Sequence, residues 1–93
     1  MAQHHLKTWP KPFAALWAGK KNFEVRKNDR AYAVGDRLVL QEWYPDSCTW
    51  GERIVSADVG YILDGGFGLS DGYVCMALKN TRTEWYEGDQ QEE

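Results

Sequence analysis

The chain has 93 residues, which suffices for one small domain around one hydrophobic core. Its residues are 43% hydrophobic and 27% charged, and its five Trp, five Tyr and three Phe exclude a chain that is disordered throughout. Its apolar runs are too short to span a membrane, and residues 1–20 lack the pattern of a secretory signal. We therefore expect a cytoplasmic protein in which Cys48 and Cys75 are free thiols.

The formal net charge of -3 is unevenly distributed along the chain. Residues 84–93 contain five acidic residues and no basic one, and we expect them to form a disordered tail after a single domain at residues 1–83. Residues 19–37 contain six basic and three acidic residues, so this segment could bind an anion. The same pattern is also typical of a solvated surface with ordinary ion pairs.

Hydrophobic periodicity and turn residues divide the chain into one helix and five strands. The predicted elements are a strand at residues 4–8, a helix at about 10–19, a strand from residue 21, and strands at 37–44, 52–63 and 73–79. Turn formers mark the longer loops, at residues 28–36, 45–51 and 64–72. This order of elements predicts an α+β fold, a small β-barrel of about five strands with one α-helix covering an opening. Closure of the barrel would leave no sheet edge unpaired.

Spacing within these elements predicts which side chains are buried. Phe13, Leu16 and Trp17 share one helical face, which we expect to pack against the sheet, and Gly19 is placed to end the helix. In the strand from residue 21, apolar and charged residues alternate, so this strand has one charged face. The strand at residues 52–63 is predicted to bury one set of side chains, Val55, Ala57, Val59, Tyr61 and Leu63.

The densest group of charged residues is the segment GKKNFEVR at residues 19–26, which is followed by Gly35 and Asp36. This G-x-K-x-x-E-x-R pattern with a downstream Gly-Asp resembles the ASCH domain superfamily, whose members have a PUA-like β-barrel fold. An ASCH-related bacterial and phage family of unknown function resembles the chain more closely still, in three blocks at residues 4–13, 23–43 and 61–74. The resemblance covers about residues 4–79, and it implies that the charged motif lines a ligand-binding cleft.

Three residues of this motif could recognise a ligand. Glu24 and Arg26 lie on one face of a strand, about 6–7 Å apart, and together they could accept from a base amine and donate to a carbonyl or a phosphate. Lys21 enters the same strand just after the helix and adds a cation. The alternative is that Glu24 and Arg26 only neutralise each other, or nearby charges, inside a half-buried barrel.

Further residues extend this candidate site. Arg30 could reach a phosphate, whereas the adjacent Asn28 and Asp29 are typical of a turn. Lys7, on the first strand, either adds a second cation to the cleft or lies on the surface with its stem packed down. Trp43 could stack on an unpaired base, although an aromatic residue in so small a domain also suits the core.

The remaining polar residues have structural interpretations beside the functional ones. Glu42 is predicted to point inward, where burial would raise its pKa, unless it balances Arg26. Trp50, across the following turn, is a second candidate for stacking. His4 and His5 point to opposite faces of a strand, so we expect no metal site, and no motif indicates a cofactor.

Hypotheses from three classes of function follow from these residues. The first is a module that binds RNA or a nucleotide, with a ligand-binding set of Lys7, Lys21, Glu24, Arg26, Arg30 and Trp43. The second is an enzyme acting on a modified nucleoside such as acetylated cytidine, with a catalytic set of Lys21, Glu24 and Glu42. Small amidohydrolases of the ASCH superfamily use a threonine nucleophile at the position of Glu24, so the resemblance does not carry their mechanism over. The third is a protein-interaction module, and the sequence leaves the oligomeric state open.

Overall fold

The computed structural model describes residues 1–85, which form five strands and one helix. The elements are β1 Gln3–Thr8, α1 Pro10–Trp17, β2 Phe23–Lys27, β3 Arg37–Tyr44, β4 Thr49–Leu63 and β5 Tyr73–Trp85. The helix and all five strands therefore occur in the predicted order, and β3 has the predicted bounds.

The five strands form one mixed sheet in the order β1-β3-β4-β5-β2. β1 is parallel to β3, and the other neighbouring strands are antiparallel. β1 and β2 lie at opposite edges, with no backbone ladder between them in residues 1–85, so the sheet forms a half-barrel. The predicted barrel-like α+β fold with five strands and one helix is confirmed. The predicted closure without sheet edges is wrong, because within residues 1–85 neither edge strand pairs with another strand on its outer side.

α1 connects β1 to β2 and packs against β3 and β4. Phe13 and Leu16 are buried, and Trp17 packs against the same core, as their spacing predicts. The helix ends at Trp17, slightly earlier than predicted. Gly19 follows with a φ of 78°, and its N–H donates to the carbonyl oxygen of Leu16 at 3.1 Å. Glycine adopts this left-handed conformation at little cost, so the chain ends the helix here as expected.

The core lies between α1 and the sheet, and its buried members are Leu6, Phe13, Leu16, Tyr32, Leu38, Leu40, Val55, Val59, Val74 and Met76. On β4, Val55, Ala57 and Val59 are buried as predicted, but Tyr61 is 63% exposed. The pairing of β4 with β5 shifts between Val59 and Tyr61. This bulge reverses the alternation of side chains, so Ile62 packs against the core where Tyr61 was expected.

β5 runs to Trp85, beyond its predicted end at residue 79, and its last residues pair with the first half of β4. Glu84 and Trp85, the first two residues of the predicted acidic tail, therefore belong to the sheet. The rest of that predicted tail, residues 86–93, lies outside the described residues.

Both cysteines are free thiols, as predicted: Cys48 is exposed in the turn before β4, and Cys75 is half-buried on β5. The chain has one described helix, α1, which connects two strands of the sheet. No helix in residues 1–85 is long and apolar enough to cross a membrane.

Candidate ligand-binding cleft

The half-barrel is open between its two edge strands, and we call this opening the β1–β2 cleft. Arg26 on β2 reaches across it: its Nη2 donates to the carbonyl oxygen of Lys7 at 3.0 Å and to the hydroxyl of Thr8 at 3.1 Å. A side chain thus connects two strands that have no backbone hydrogen bonds to each other. One charged, forked group thus holds β2 to β1 across the opening.

Glu24 lies on the inner side of β2 and is 3% exposed. One of its carboxylate oxygens accepts a hydrogen bond from Lys21, and the other accepts from Nε of Arg26 at 2.7 Å. Nζ of Lys21 also donates to the carbonyl oxygen of Phe23 at 2.6 Å. The structure therefore brings together the three motif residues predicted to form the site. It also contains the ion pair between Glu24 and Arg26 that the alternative interpretation expects.

Two adjoining pockets make up the cleft. The first has a volume of about 410 Å³ and is lined by Lys7, Thr8, Trp9, Pro12, Lys21, Phe23, Glu24, Val25 and Arg26. The second has a volume of about 480 Å³ and is lined by His5, Leu6, Lys7, Arg26, Lys27, Asp29, Arg30, Tyr32 and Trp50. Lys7 and Arg26 line both pockets, which therefore lie side by side, and each pocket has the size of a small-molecule site.

The lining of the cleft carries an excess of positive charge. Five of its side chains are basic, namely Lys7, Lys21, Arg26, Lys27 and Arg30. Only Glu24 and Asp29 among its described lining residues are acidic, and Glu24 is buried between two of the cations. A concave surface of this kind raises the local concentration of anions.

Lys7 is surrounded by aromatic rings. Its Nζ lies 4.0 Å from the centroid of the Trp43 ring and 5.9 Å from that of Trp50. The two tryptophans pack edge to face with centroids 5.1 Å apart, and the ring of His5 lies 5.1 Å from that of Trp50. Trp50 is 45% exposed and lines the second pocket. Trp43 is half-buried and lines neither pocket, so it is connected to the cleft only through its contacts with Lys7 and Trp50.

The loop after β2 begins with the turn formers identified in the sequence. Oδ1 of Asn28 accepts from the backbone N–H of Tyr32 at 3.0 Å, and the N–H of Asn28 donates to the carbonyl oxygen of Gly72 at 2.8 Å. These contacts give Asn28 the turn-forming role predicted for it. Asp29 and Arg30 line the second pocket, and Arg30 is exposed there.

Glu42 is buried, as predicted, but it lines a different pocket from Glu24. Its two oxygens accept from Arg53 at 3.1 and 2.8 Å. These hydrogen bonds outweigh the effect of burial and hold the pKa of Glu42 below its ordinary value. The predicted raised pKa and the pairing with Arg26 are therefore wrong. The reason is a bulge in β3 at Glu42, beside which β4 supplies the guanidinium.

His4 and His5 lie on opposite faces of β1, as predicted: His4 is buried and His5 is exposed. Nε2 of His4 is 2.9 Å from Oδ2 of Asp36. The Asp36 carboxylate also accepts from the backbone N–H groups of Ala2 and Ala33, each at 3.0 Å. These hydrogen bonds, above all the one with His4, lower the pKa of Asp36 to about 2. The Gly-Asp part of the motif thus anchors the start of β1 and does not line the cleft.

Several residues that line the cleft were not identified as site residues from the sequence, among them Thr8, Trp9, Phe23 and Lys27. Thr8 and Trp9 directly follow Lys7, and Lys27 directly follows Arg26. The sequence indicates a role for them in the site only because they are next to residues that were identified. The sheet order puts β1 and β2 at opposite edges, and the curvature of the half-barrel brings the end of β1 close to β2. No local pattern in the sequence specifies either feature.

The fold and the site define a small half-barrel whose open side is a cationic cleft. A family model described as "Domain of unknown function (DUF3850)" matches residues 3–78, and the chain belongs to this family. The chain is also similar to the "Uncharacterized 12.9 kDa protein in GpA 3'region" of Escherichia phage P2, with 48% identity over 40 residues. This match covers 43% of the chain and spans 37% of the length of the phage protein. The predicted membership of a bacterial and phage family of unknown function is thereby confirmed.

Proposed function

We propose that the protein binds RNA or a nucleotide through the β1–β2 cleft. The observation that carries this proposal is a pair of adjoining pockets in which five basic side chains adjoin the exposed rings of Trp9, Phe23 and Trp50. Basic side chains bind phosphates, and exposed aromatic rings stack on unpaired bases. The combination suits a single-stranded or mononucleotide ligand better than a neutral, aliphatic one.

Each motif residue has a role in this proposal. Lys21 and Arg26 donate to a carbonyl of the base, and Arg26 also fixes the width of the cleft through its bonds to β1. Glu24 orients these two cations through its paired oxygens. It accepts from a base amine when the ligand replaces one of those partners. Arg30 contacts phosphate, and Lys7 adds positive charge in the same pocket.

The resemblance to the ASCH superfamily supports the same proposal. In this interpretation the family of the chain is a branch of that superfamily, with a PUA-like fold, and the segment GKKNFEVR lines the ligand cleft as it does there. An enzyme of this superfamily is the less favoured candidate, because both oxygens of Glu24 are engaged by cations and Glu42 lies in another pocket. The two carboxylates therefore do not share one pocket in which one of them could act as a general base on a water molecule.

An isotope-edited NMR titration with short single-stranded RNA, nucleotides and acetylated cytidine tests the proposal. We expect amide shifts at residues 7–9 and 21–30, and an RNA affinity that decreases with salt. Arg30→Gln should reduce the slope of log affinity against log salt by about 0.7, the value for one contact with a single strand. Arg82→Gln removes an exposed basic residue of β5 outside the cleft and should leave the slope unchanged.

Two outcomes would contradict the proposal. If no ligand of this panel shifts the cleft amides, the protein does not bind nucleotides there, and a protein partner becomes the better hypothesis. If the signals of acetylated cytidine are replaced by those of its hydrolysis products, the protein is an enzyme and not only a binding module.

A further inference from the structure

The two pockets of the β1–β2 cleft differ in chemistry. The first is bordered by Trp9, Phe23 and Val25, which are 58%, 43% and 46% exposed. Large apolar side chains that converge on one pocket in contact with water are typical of ligand sites. Trp9 makes no ring contact with any residue of the described chain. This end of the cleft is therefore suited to a flat, uncharged group.

The cations beside the first pocket are already engaged within the protein. Lys21 and Arg26 both donate to Glu24, and Lys21 also donates to the carbonyl oxygen of Phe23. Arg26 uses a further nitrogen for its two bonds to β1. A phosphate placed here would compete with the Glu24 carboxylate for the same donors and would be repelled by its charge.

The second pocket, in contrast, offers cations with free donors. Lys27 and Arg30 line it, and their side chains form no hydrogen bond or ion pair with any residue of the described chain. Arginine and lysine side chains whose N–H groups are not used within the protein are the usual partners of phosphate groups. Trp50 also lines this pocket, but its ring packs against the rings of Trp43 and His5 and is less available for stacking.

We propose that the cleft binds one phosphorylated nucleotide unit in a fixed orientation. Its base lies in the first pocket against Trp9 and Phe23, and its phosphate lies in the second pocket against Lys27 and Arg30. This inference rests on the proposed function and narrows it. The ligand carries a phosphate beside its base, as a nucleotide or an RNA strand does and a nucleoside does not.

The test compares cytidine, cytidine monophosphate and inorganic phosphate in NMR titrations of the protein. We expect phosphate to shift the amides of residues 27–30, cytidine to shift those of residues 23–25, and the monophosphate to shift both. Arg30→Gln should weaken binding of the monophosphate about tenfold and leave that of cytidine unchanged. Trp9→Ala should weaken binding of both ligands, because each carries the base.

Matched controls lie outside the cleft: Arg82→Gln removes an exposed basic residue and Phe67→Ala an exposed aromatic one, and neither should change either affinity. Trp9 holds the helix start through its carbonyl oxygen, which accepts from the N–H of Phe13 at 2.9 Å, and alanine keeps that group. The amide spectrum of each variant verifies its fold.

Equal affinities for cytidine and its monophosphate would overturn this inference and leave the proposed function standing. The inference is also overturned if Arg30→Gln and Trp9→Ala each weaken the binding of cytidine and of its monophosphate equally. The base and the phosphate would then not occupy separate pockets. If none of the three ligands and no short RNA shifts a cleft amide, the proposed function itself is overturned, and the inference falls with it.

Discussion

At the scale of single residues, Glu24 is a buried charge whose partners compensate for its burial. The side chain is 4% exposed, and those of Lys21 and Arg26 beside it are 18% and 24% exposed. Removing a carboxylate from water costs several kcal/mol unless it is paired and hydrogen-bonded. Both oxygens of Glu24 are engaged, so this cost is offset, and the carboxylate fixes the positions of two cations in the cleft.

Glu24→Gln tests this pairing, since the amide has the same shape but no charge. We expect the free energy of unfolding to fall by about 2 kcal/mol, because two cations lose their buried partner. Urea denaturation at neutral pH measures the change. Glu52→Gln alters an exposed glutamate of β4 and should change the free energy by less than about 0.5 kcal/mol. Equal effects of the two substitutions would show that the buried pair does not stabilise the fold.

The lowered pKa of Asp36 predicts that the free energy of unfolding decreases in acid. Its pKa is about 2 in the folded protein and 3.8 ordinarily, chiefly because of the hydrogen bond with His4. Since the folded value is the lower one, the ionised carboxylate stabilises the fold above about pH 4, and this contribution disappears as the pH falls toward 2. The shift corresponds to about 2 kcal/mol.

The matching variant is Asp36→Asn, which has no carboxylate to titrate. At neutral pH it should be less stable than the unaltered protein, and the difference should shrink as urea denaturation is repeated from pH 5 toward pH 2. A difference that stays constant over this range would mean that Asp36 has the same pKa in both states.

At the scale of the elements, the sequence predicted what local interactions decide. The helical face and its termination at Gly19 follow from residues near each other in the chain. The errors concern strand pairing. The bulge that turns Tyr61 outward and the extension of β5 to Trp85 depend on the neighbouring strand, which leaves no local signal. For the same reason Glu42 was placed correctly in the interior but given the wrong partner, since Arg53 comes from another strand.

The candidate site divides in the same way. Lys21, Glu24 and Arg26 were identified because one segment of the chain holds all three at the spacing of a strand face. Thr8 and Trp9 were missed because they reach the cleft only through the curvature of the sheet, which brings the edge strands β1 and β2 to face each other.

Gly51 marks the close approach of β4 to β3 beside Glu42. A Cβ at Gly51 would lie 2.8 Å from Oε1 and 2.9 Å from Cβ of Glu42. Gly51→Ala should displace Glu42 from Arg53 and lower the free energy of unfolding by about 1–3 kcal/mol. In the control Gly60→Ala, the added Cβ meets the flexible side chain of Lys79 at 3.2 Å, which can move aside. Urea denaturation should rank the two variants in this order, and the reverse order would contradict the packing described for β3.

At the scale of the whole molecule, the half-barrel has one open side, and Arg26 is the side chain that spans it. Its guanidinium simultaneously binds the carboxylate of Glu24 on its own strand and two oxygens of β1. Only a forked, planar group has donors in all these directions. The same residue therefore holds the open side together and borders both pockets.

Arg26→Lys keeps the positive charge but loses the fork. We expect the free energy of unfolding to fall by about 1–2 kcal/mol, because one ammonium cannot serve β1 and Glu24 together. Urea denaturation gives this value, and Arg30→Lys, at an exposed position without such contacts, should leave it unchanged. If Arg26→Lys is as stable as the unaltered protein, charge alone and not geometry joins the edge strands.

The strand order also determines when the cleft can form as the chain is synthesised. Among the strands of residues 1–85, β1 pairs with β3 alone and β2 pairs with β5 alone, and β5 is the last of these strands. A growing chain can assemble β1, β3 and β4 first. At that stage β2, which carries Glu24 and Arg26, has no strand to pair with. Pairings so distant in sequence form late. The second wall of the cleft is therefore added only once β5 is available, and a chain that has been synthesised only as far as β4 has no β1–β2 cleft.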